Sequence, residues 1–272
     1  MCTCNAGITK LNYVPLFQLK TFLKYWLEAV DEHSLHSPFL FDFYTKVIKA
    51  GRSIHDHGPI EQLRKKLLED HRVILIEDMG GGSFYFENRR RKVSAIARTS
   101  LSKRRFSELY FNIVQYLEAK TIVELGTSFG INTLYLSQRS GSAITTFEGS
   151  REIIKIAQST FEFAGANNIK LVEGNINTTL PAFLQSSGKL DLVFIDANHR
   201  YEPTRKYFEW FLPKMHYKSA LIIDDIHQSP EMERAWREIQ QHALVYASID
   251  LYRCGILFFD PSLNKQRVVL QF

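Results

Sequence analysis

From Thr121 onward, short apolar runs and amphipathic segments alternate with a regular beat. "TIVEL", "AITTFE", "IKLVEG", "LDLVFID" and "SALIIDD" read as strands, and helical spacing begins near Gly130, Ser150, Thr178 and Tyr201. Strand and helix in strict turn predict right-handed crossovers, a parallel sheet and helices on both of its faces. A further helix spans about Pro230 to His242. It is followed by "ALVYASIDL" and "CGILFFD", which too little chain separates for a crossover helix, so they are expected to pair antiparallel at the sheet edge, with "RVVLQF" placed to close it. The expectation is an α/β fold with a seven-stranded, mostly parallel sheet and an antiparallel edge strand.

The first hundred residues follow a different rhythm. "LFQLKTFLKYWLEAV" sets Leu16, Leu19, Leu23, Trp26, Leu27 and Val30 on one helical stripe, and "SPFLFDFYTKVI" begins with a Ser-Pro helix entry. A third helix from Pro59 to Asp70 leads to the strand "RVILIED" and a glycine run, and two more helices follow through "KVSAIARTSLSKRRFSELYFNIVQYLEA". The chain thus divides into a mostly helical cap with a short Gly-rich hairpin or turn, residues 1–104, and a sheet domain, residues 105–272.

Composition adds limits. At 272 residues one large α/β domain with an appendage fits, and two full-sized ones do not. No run reaches the roughly 18 apolar residues of a membrane span, and no leader pattern opens the chain, so a cytoplasmic protein is expected. Three cysteines, Cys2, Cys4 and Cys254, are an odd count and do not form a disulfide framework. The net charge of +5 is concentrated at Arg89, Arg90, Arg91 and Lys92 and at Lys103, Arg104 and Arg105. Such runs can meet a polyanion, but they lack the interleaved aromatic residues that stack bases.

Two stretches look like ligand cradles: "IEDMGGGS", residues 76–83, and "ELGTSFG", residues 124–130. In an open parallel sheet a ligand sits at the carboxyl ends of the strands and needs partners from neighbouring ones. The second stretch has them, since later strands end in Glu148, Glu173, Asp196 and Asp224-Asp225. The first is followed by aromatic and arginine-rich chain and reads as a turn. The spacing Gly126-Thr-Ser-Phe-Gly130 also departs from the G-x-G-x-x-G of a pyrophosphate cradle. Glu124 beside the loop suits an ammonium rather than a phosphate, and Glu148 is placed to accept ribose hydroxyls. A nucleoside with an amino acid tail and no phosphate is S-adenosylmethionine.

"VELGTSFGINTLYLS", "TTFEGS", "GNINTTLP", "DLVFIDANHRYEPT" and "LIIDDIH" resemble, in order, the motifs of class I S-adenosylmethionine-dependent methyltransferases with their Rossmann-like sheet. The likeness covers roughly residues 105 to 260 and is strongest to the catechol and macrolide-sugar O-methyltransferase branch. It implies that Glu124, Gly126, Thr127, Ser128 and Gly130 surround the methionine part of the cofactor. By the same likeness Glu148 takes the ribose with Gly149 and Ser150 beside it, and Asn175 and Ile176 face the adenine. An amide at 175, where relatives often carry an acid, is a departure.

Methyl transfer from a sulfonium needs an aligned oxygen and a destination for its proton. Asp196, Asp224 and Asp225 end adjacent strands and could place oxygen ligands on one Mg²⁺. His199, three residues past Asp196, is the candidate base, with His227 as a second. Catechol-type relatives carry a lysine in this loop and an Asp-Asn pair on the fifth strand, whereas His199 and Asp224-Asp225 resemble the macrolide-sugar pattern. A metal-free arrangement stays open, with Asp196 holding the cofactor amine and Asp225 capping the next helix. Tyr201 and Trp236 could line an acceptor pocket, although core packing accounts for both.

The expected activity is O-methylation of a small hydroxylated molecule. A nucleic-acid (RNA) methyltransferase using the basic runs is the alternative, although the fourth strand ends in "DANH" and not in an N-P-P-Y type of motif. A non-catalytic cofactor-binding module and an NAD-linked oxidoreductase complete the field. A small-molecule acceptor is the expected partner and a homodimer is compatible with the chain. A membrane is not expected, and nucleic acid is disfavoured.

Overall fold

The computed structural model describes residues 13–49, 56–76 and 90–272. Its N-terminal part comprises α1 (Tyr13–Glu28), α2 (Pro38–Phe43, extended by a wider turn, Tyr44–Ile48) and α3 (Gly58–Glu69). It continues through the short strands β1 (Val73–Leu75) and β2 (Arg90–Lys92), then α4 (Val93–Ser100) and α5 (Arg104–Tyr116). The α/β part runs β3 (Thr121–Leu125), α6 (Ile131–Ser137), β4 (Ala143–Glu148), α7 (Arg151–Phe163), β5 (Ile169–Glu173), α8 (Ile176–Ser186), β6 (Leu192–Ile195), α9 (Tyr201–Phe211), β7 (Ala220–Asp224), α10 (Pro230–Ile239), β8 (Ala247–Asp250), β9 (Cys254–Phe258) and β10 (Gln266–Val269).

The main sheet has eight strands in the order β10-β8-β9-β7-β6-β3-β4-β5. Every crossover expected from the alternating pattern is present, and β3, β4, β5, β6 and β7 are parallel. Two details differ from the sequence expectation. There are eight strands rather than seven, because Gln266–Val269 pairs parallel with β8 and closes the sheet. The antiparallel strand is therefore not at the edge: β9 lies inside, between β7 and β8. Its fully apolar sequence fits that place, since all five residues of β9 are buried, like those of β6 and β7.

Local chemistry sets the helix starts. Ser37 Oγ accepts the Leu40 amide and Pro38 opens α2, while Ser229 does the same for Met232 ahead of Pro230 at α10. The N-terminal helices share a core with the sheet, since Leu40, Phe43 and Val47 pack in one apolar cluster with Leu109, Ile122, Ile222 and Phe258.

The apolar stripe of α1 faces solvent. The helix is there, but it packs through Thr21 and Tyr25, which are buried, and Tyr25 donates to the Leu270 carbonyl at 2.7 Å. Leu16, Leu19, Leu23, Trp26 and Leu27 face outward. Burying a narrow seam of hydroxyl-bearing residues against the C-terminal strand won over burying the wide apolar arc. At β1 and β2 the expected strand is present and pairs antiparallel with Arg90–Lys92. The connecting residues 77–89, with the glycines of the first candidate cradle, lie outside the described residues, as do Cys2 and Cys4.

Candidate active site

The chain leaves β3 toward β4 on one side and returns to β6 on the other, so the strand order reverses beside β3. A cavity of about 330 Å³ opens there, lined by groups including Gly126, Ser128, Glu148, Asp196, His199 and Asp225. That is the topological switch point at which open α/β sheets bind ligands, and the volume lies at the low end for such sites.

The loop after β3 is held by backbone. The amides of Gly126 and Thr127 both donate to the Phe147 carbonyl, at 3.0 and 3.2 Å. Gly126 has φ +95°, and a Cβ there would overlap the Asp196 carbonyl oxygen. No other residue fits, because the loops after β3 and β6 touch at this point. Gly130, at φ +81° against the Phe161 ring, is fixed in the same way at the start of α6.

Glu148 ends β4 and accepts three backbone amides, from Ser128 at 3.1 Å, Gly149 at 2.9 Å and Ser150 at 3.0 Å. Burial raises its pKa while those amides oppose the rise. Glu124 points away from solvent and is fully buried, accepting the hydroxyls of Thr133 at 2.5 Å and Thr146 at 2.7 Å on Oε2. Its Oε1 has no hydrogen-bond partner among the described residues, and burial pushes its pKa up to about 8.

At the ends of β6 and β7 the wall is charged. His199 Nε2 lies 3.3 Å from Asp196 Oδ1 and 4.0 Å from Asp225 Oδ2. Burial would lower the imidazole pKa, but the hydrogen bond to Asp196 and the charges of Asp196, Asp225 and Asp224 outweigh it and raise it to about 9. Among the described residues, Asp196, His199 and Asp225 form the group whose ligand atoms all lie within 4.8 Å of one another, close enough for one ion. Strain gathers here as well: Ser128, Asn198, His199 and Asp225 are four of the six non-glycine residues with positive φ among those described.

Asp224 stands apart from that group. It is fully buried, accepts from Tyr110 at 3.0 Å and is gripped by Arg253, whose Nη2 donates at 2.8 Å. Burial and the charges of Asp196 and Asp225 raise its pKa, and Arg253 opposes them. Asp225 does not cap α10, a role Ser229 fills. His227 turns away to Asp250, at 2.8 Å, and stacks on Tyr252. Trp236 is buried and donates to Asp250, and Tyr201 donates to Glu238, so neither lines the cavity.

Of the residues picked from the sequence, the cavity wall thus includes Gly126, Ser128, Glu148, Asp196, His199 and Asp225. Glu124, Thr127, Gly130, Gly149 and Ser150 support the wall from behind, and Asn175 caps α8, accepting the Asn177 amide beside Ile176. Sequence reasoning missed Ile96, Thr99 and Ser100 of α4, together with Ile153, Gln228 and Arg253. For α4 the sequence carries no signal, since only folding brings Ser100 Oγ to 2.9 Å from Ser128 Oγ. Arg253 had one: a lone arginine entering an all-apolar strand must find a buried acid.

Residues 123–226 match a family described as Methyltransferase domain. The catechol O-methyltransferase of Niastella koreensis is 26% identical over 118 residues, 42% of this chain and 52% of that protein, so the match spans about half the length of this curated relative. Among solved structures, an SAH-bound methyltransferase of Podospora anserina superposes with a TM-score of 0.58 at 14% identity, covering 83% of this chain and 97% of that one. An O-methyltransferase of Bacillus cereus in complex with SAH gives 0.57 at 18%, covering 79% and 96%. These superpositions show the shared fold, and the family match sets the likeness to a methyltransferase domain on residues 123–226.

Proposed function

We propose that the protein transfers a methyl group from S-adenosylmethionine to a hydroxyl of a small molecule. The observation that carries this reading is the Glu148 carboxylate at the tip of β4, facing the same 330 Å³ cavity as Asp196, His199 and Asp225. Glu148 would take the ribose hydroxyls, and Ser128 with the Gly126 turn would pass the methionine part beneath β3. At Gly126 the loop after β3 lies directly against the Asp196 carbonyl, so glycine lets the Gly126 turn and the Asp196 strand end form one continuous wall for the ligand. Asn175 and Ile176 would border the adenine. The cofactor supplies an electrophilic methyl group on a sulfonium.

The acceptor side falls to this chain's own groups. Asp196 and Asp225 flank His199 and would orient a hydroxyl while drawing off its proton. With a pKa near 9, His199 is largely protonated at neutral pH in this arrangement, so it would hold the acceptor oxygen as a hydrogen-bond donor and leave proton removal to a carboxylate. Their mutual spacing favours a second arrangement, in which Asp196 and Asp225 hold a divalent cation such as Mg²⁺. Asp224 takes no part in it, because it neutralises Arg253. In the second basic run Arg104 pairs with Glu108 and Arg105 lies over the Phe272 ring.

Calorimetric titration of S-adenosylhomocysteine into wild type and Glu148→Ala, each with Mg²⁺ and with EDTA, tests the reading. Binding that collapses in the variant is expected. A wild type that binds nothing sinks it.

A further inference from the structure

α1 carries a face that the rest of the described chain leaves uncovered. Leu16 is 69% exposed, Leu19 57%, Leu23 51%, Trp26 64% and Leu27 75%, all on the side opposite the packed Thr21 and Tyr25, and Phe22, 45% exposed, lies at its edge with its ring against Tyr25 and Tyr252. Together they present on the order of 700 Å² of apolar surface, above the roughly 300–600 Å² of the largest patch on a typical monomer and close to the ~800 Å² that each partner buries in a standard interface.

We propose that this face is the interface of a homodimer in which two α1 helices pack antiparallel. The spacing of Leu16, Leu19, Leu23 and Trp26 is three, four, three, the seam of a helix pair. It is symmetric about Thr21. A two-fold axis at that level brings Leu16 against the partner's Trp26 and Leu19 against the partner's Leu23, so one patch complements itself, as an isologous contact requires. Phe22 and Leu27 flank the seam. A lipid surface would accept the same arc, but interfacial helices pair it with a strongly cationic face. Here the described polar side of α1 offers Lys20 and Lys24, and Lys24 already lies 4.0 Å from Glu28.

The contact also bears on the cavity. Gln18 donates to the Gln228 carbonyl at 3.4 Å and accepts from the Tyr252 hydroxyl at 3.0 Å, so α1 braces the segments that carry the wall residues Gln228 and Arg253. The proposal itself is independent of the methyltransferase reading, since its readout is mass.

Light scattering on the full chain is expected to give twice the monomer mass for wild type and a single mass for Leu19→Glu/Leu23→Glu, with an unchanged thermal melt showing that the variant is folded. In a Cys2→Ser/Cys4→Ser background, Leu16→Cys/Trp26→Cys is expected to form a covalent dimer under copper-phenanthroline oxidation. The two sites lie ~15 Å apart within one helix, too far for an internal bridge, and neither single variant should cross-link. Three results overturn the proposal: a monomeric wild type at tens of micromolar, whether or not it binds anionic vesicles; a dimer that survives the two glutamates; and cross-linking by the single variants, which would mean a parallel pair.

Discussion

At the ends of β3 and β4 the cavity is walled mainly by backbone, and at the ends of β6 and β7 mainly by charge. On the first side Gly126, Gly130 and the three amides around Glu148 fix a shape, and the buried Glu124 is tied to two threonine hydroxyls. On the second, Asp196, His199, Asp225, Asp224 and Arg253 sit in mutual contact, and three of the backbone positions there, Asn198, His199 and Asp225, are strained. A wall of backbone is built before any ligand arrives, so it suits an invariant cofactor. A wall of interlocked charges can be re-paired by a hydroxyl, a proton or a cation, which is what a reacting group demands.

If the two sides do different work, each should be disabled by mutation without the other. His199→Ala should lower turnover by about 10²- to 10³-fold, the usual worth of one preorganised hydrogen-bond donor to a reacting oxygen, with S-adenosylhomocysteine affinity unchanged in calorimetry. Loss of affinity to the same degree would mean that the charged side also holds the cofactor. Gly126→Ala acts on the seam between the two sides. Its Cβ would overlap the Asp196 carbonyl oxygen on a backbone at φ +95°, so unfolding in urea should show a loss of about 3 kcal/mol. A variant as stable as wild type would mean that the loops after β3 and β6 do not touch in solution.

Arg253→Met sharpens the contrast from the charged side. It leaves Asp224 buried without its cation, for which a loss of about 3 kcal/mol is ordinary. The raised pKa of Asp224 lets the carboxyl escape part of that by taking a proton, so the loss should shrink below neutral pH. Cofactor affinity should stay within about threefold, since Arg253 touches neither Glu148 nor the Gly126 turn, and an affinity that falls with stability would merge the two sides into one cooperative unit.

The two sides also differ in how they can be read from sequence. The backbone side is legible, because strand, turn and helix follow one another within thirty residues and glycines mark the places where the chain must bend or approach another strand. "ELGTSFG" and the acid of "TTFEG" therefore mark their positions by local pattern alone. The charged side is legible only where it belongs to a strand end, as at Asp196, His199 and Asp225. Asp224 shares that address but is turned into the core, and its partners Tyr110 and Arg253 lie 114 and 29 residues away. The outward turn of α1 is hidden for the same reason: periodicity shows that a stripe exists, not what it meets.

A pH series separates the two sides without touching the charged wall. Burial raises the pKa of Glu124 to about 8, and the hydroxyls of Thr133 and Thr146 do not offset it. In the unfolded chain the same carboxyl loses its proton near 4.5. Between those values folding takes up a proton, so wild type loses stability as pH rises, by up to about 1.4 kcal/mol per unit from this group, and the loss is complete only above the folded value. Glu148, Asp224 and Asp225 are raised as well, and His199 is raised above its ordinary value, so they tilt the curve in the same direction. Glu124→Gln removes one contributor while keeping an acceptor for the threonine hydroxyls. Thermal melts from pH 5 to 9 should therefore give near-equal midpoints at pH 5 and a variant that outlasts wild type at pH 9. Parallel curves would mean that water reaches Glu124 and that its burial is not what shapes the β3 side.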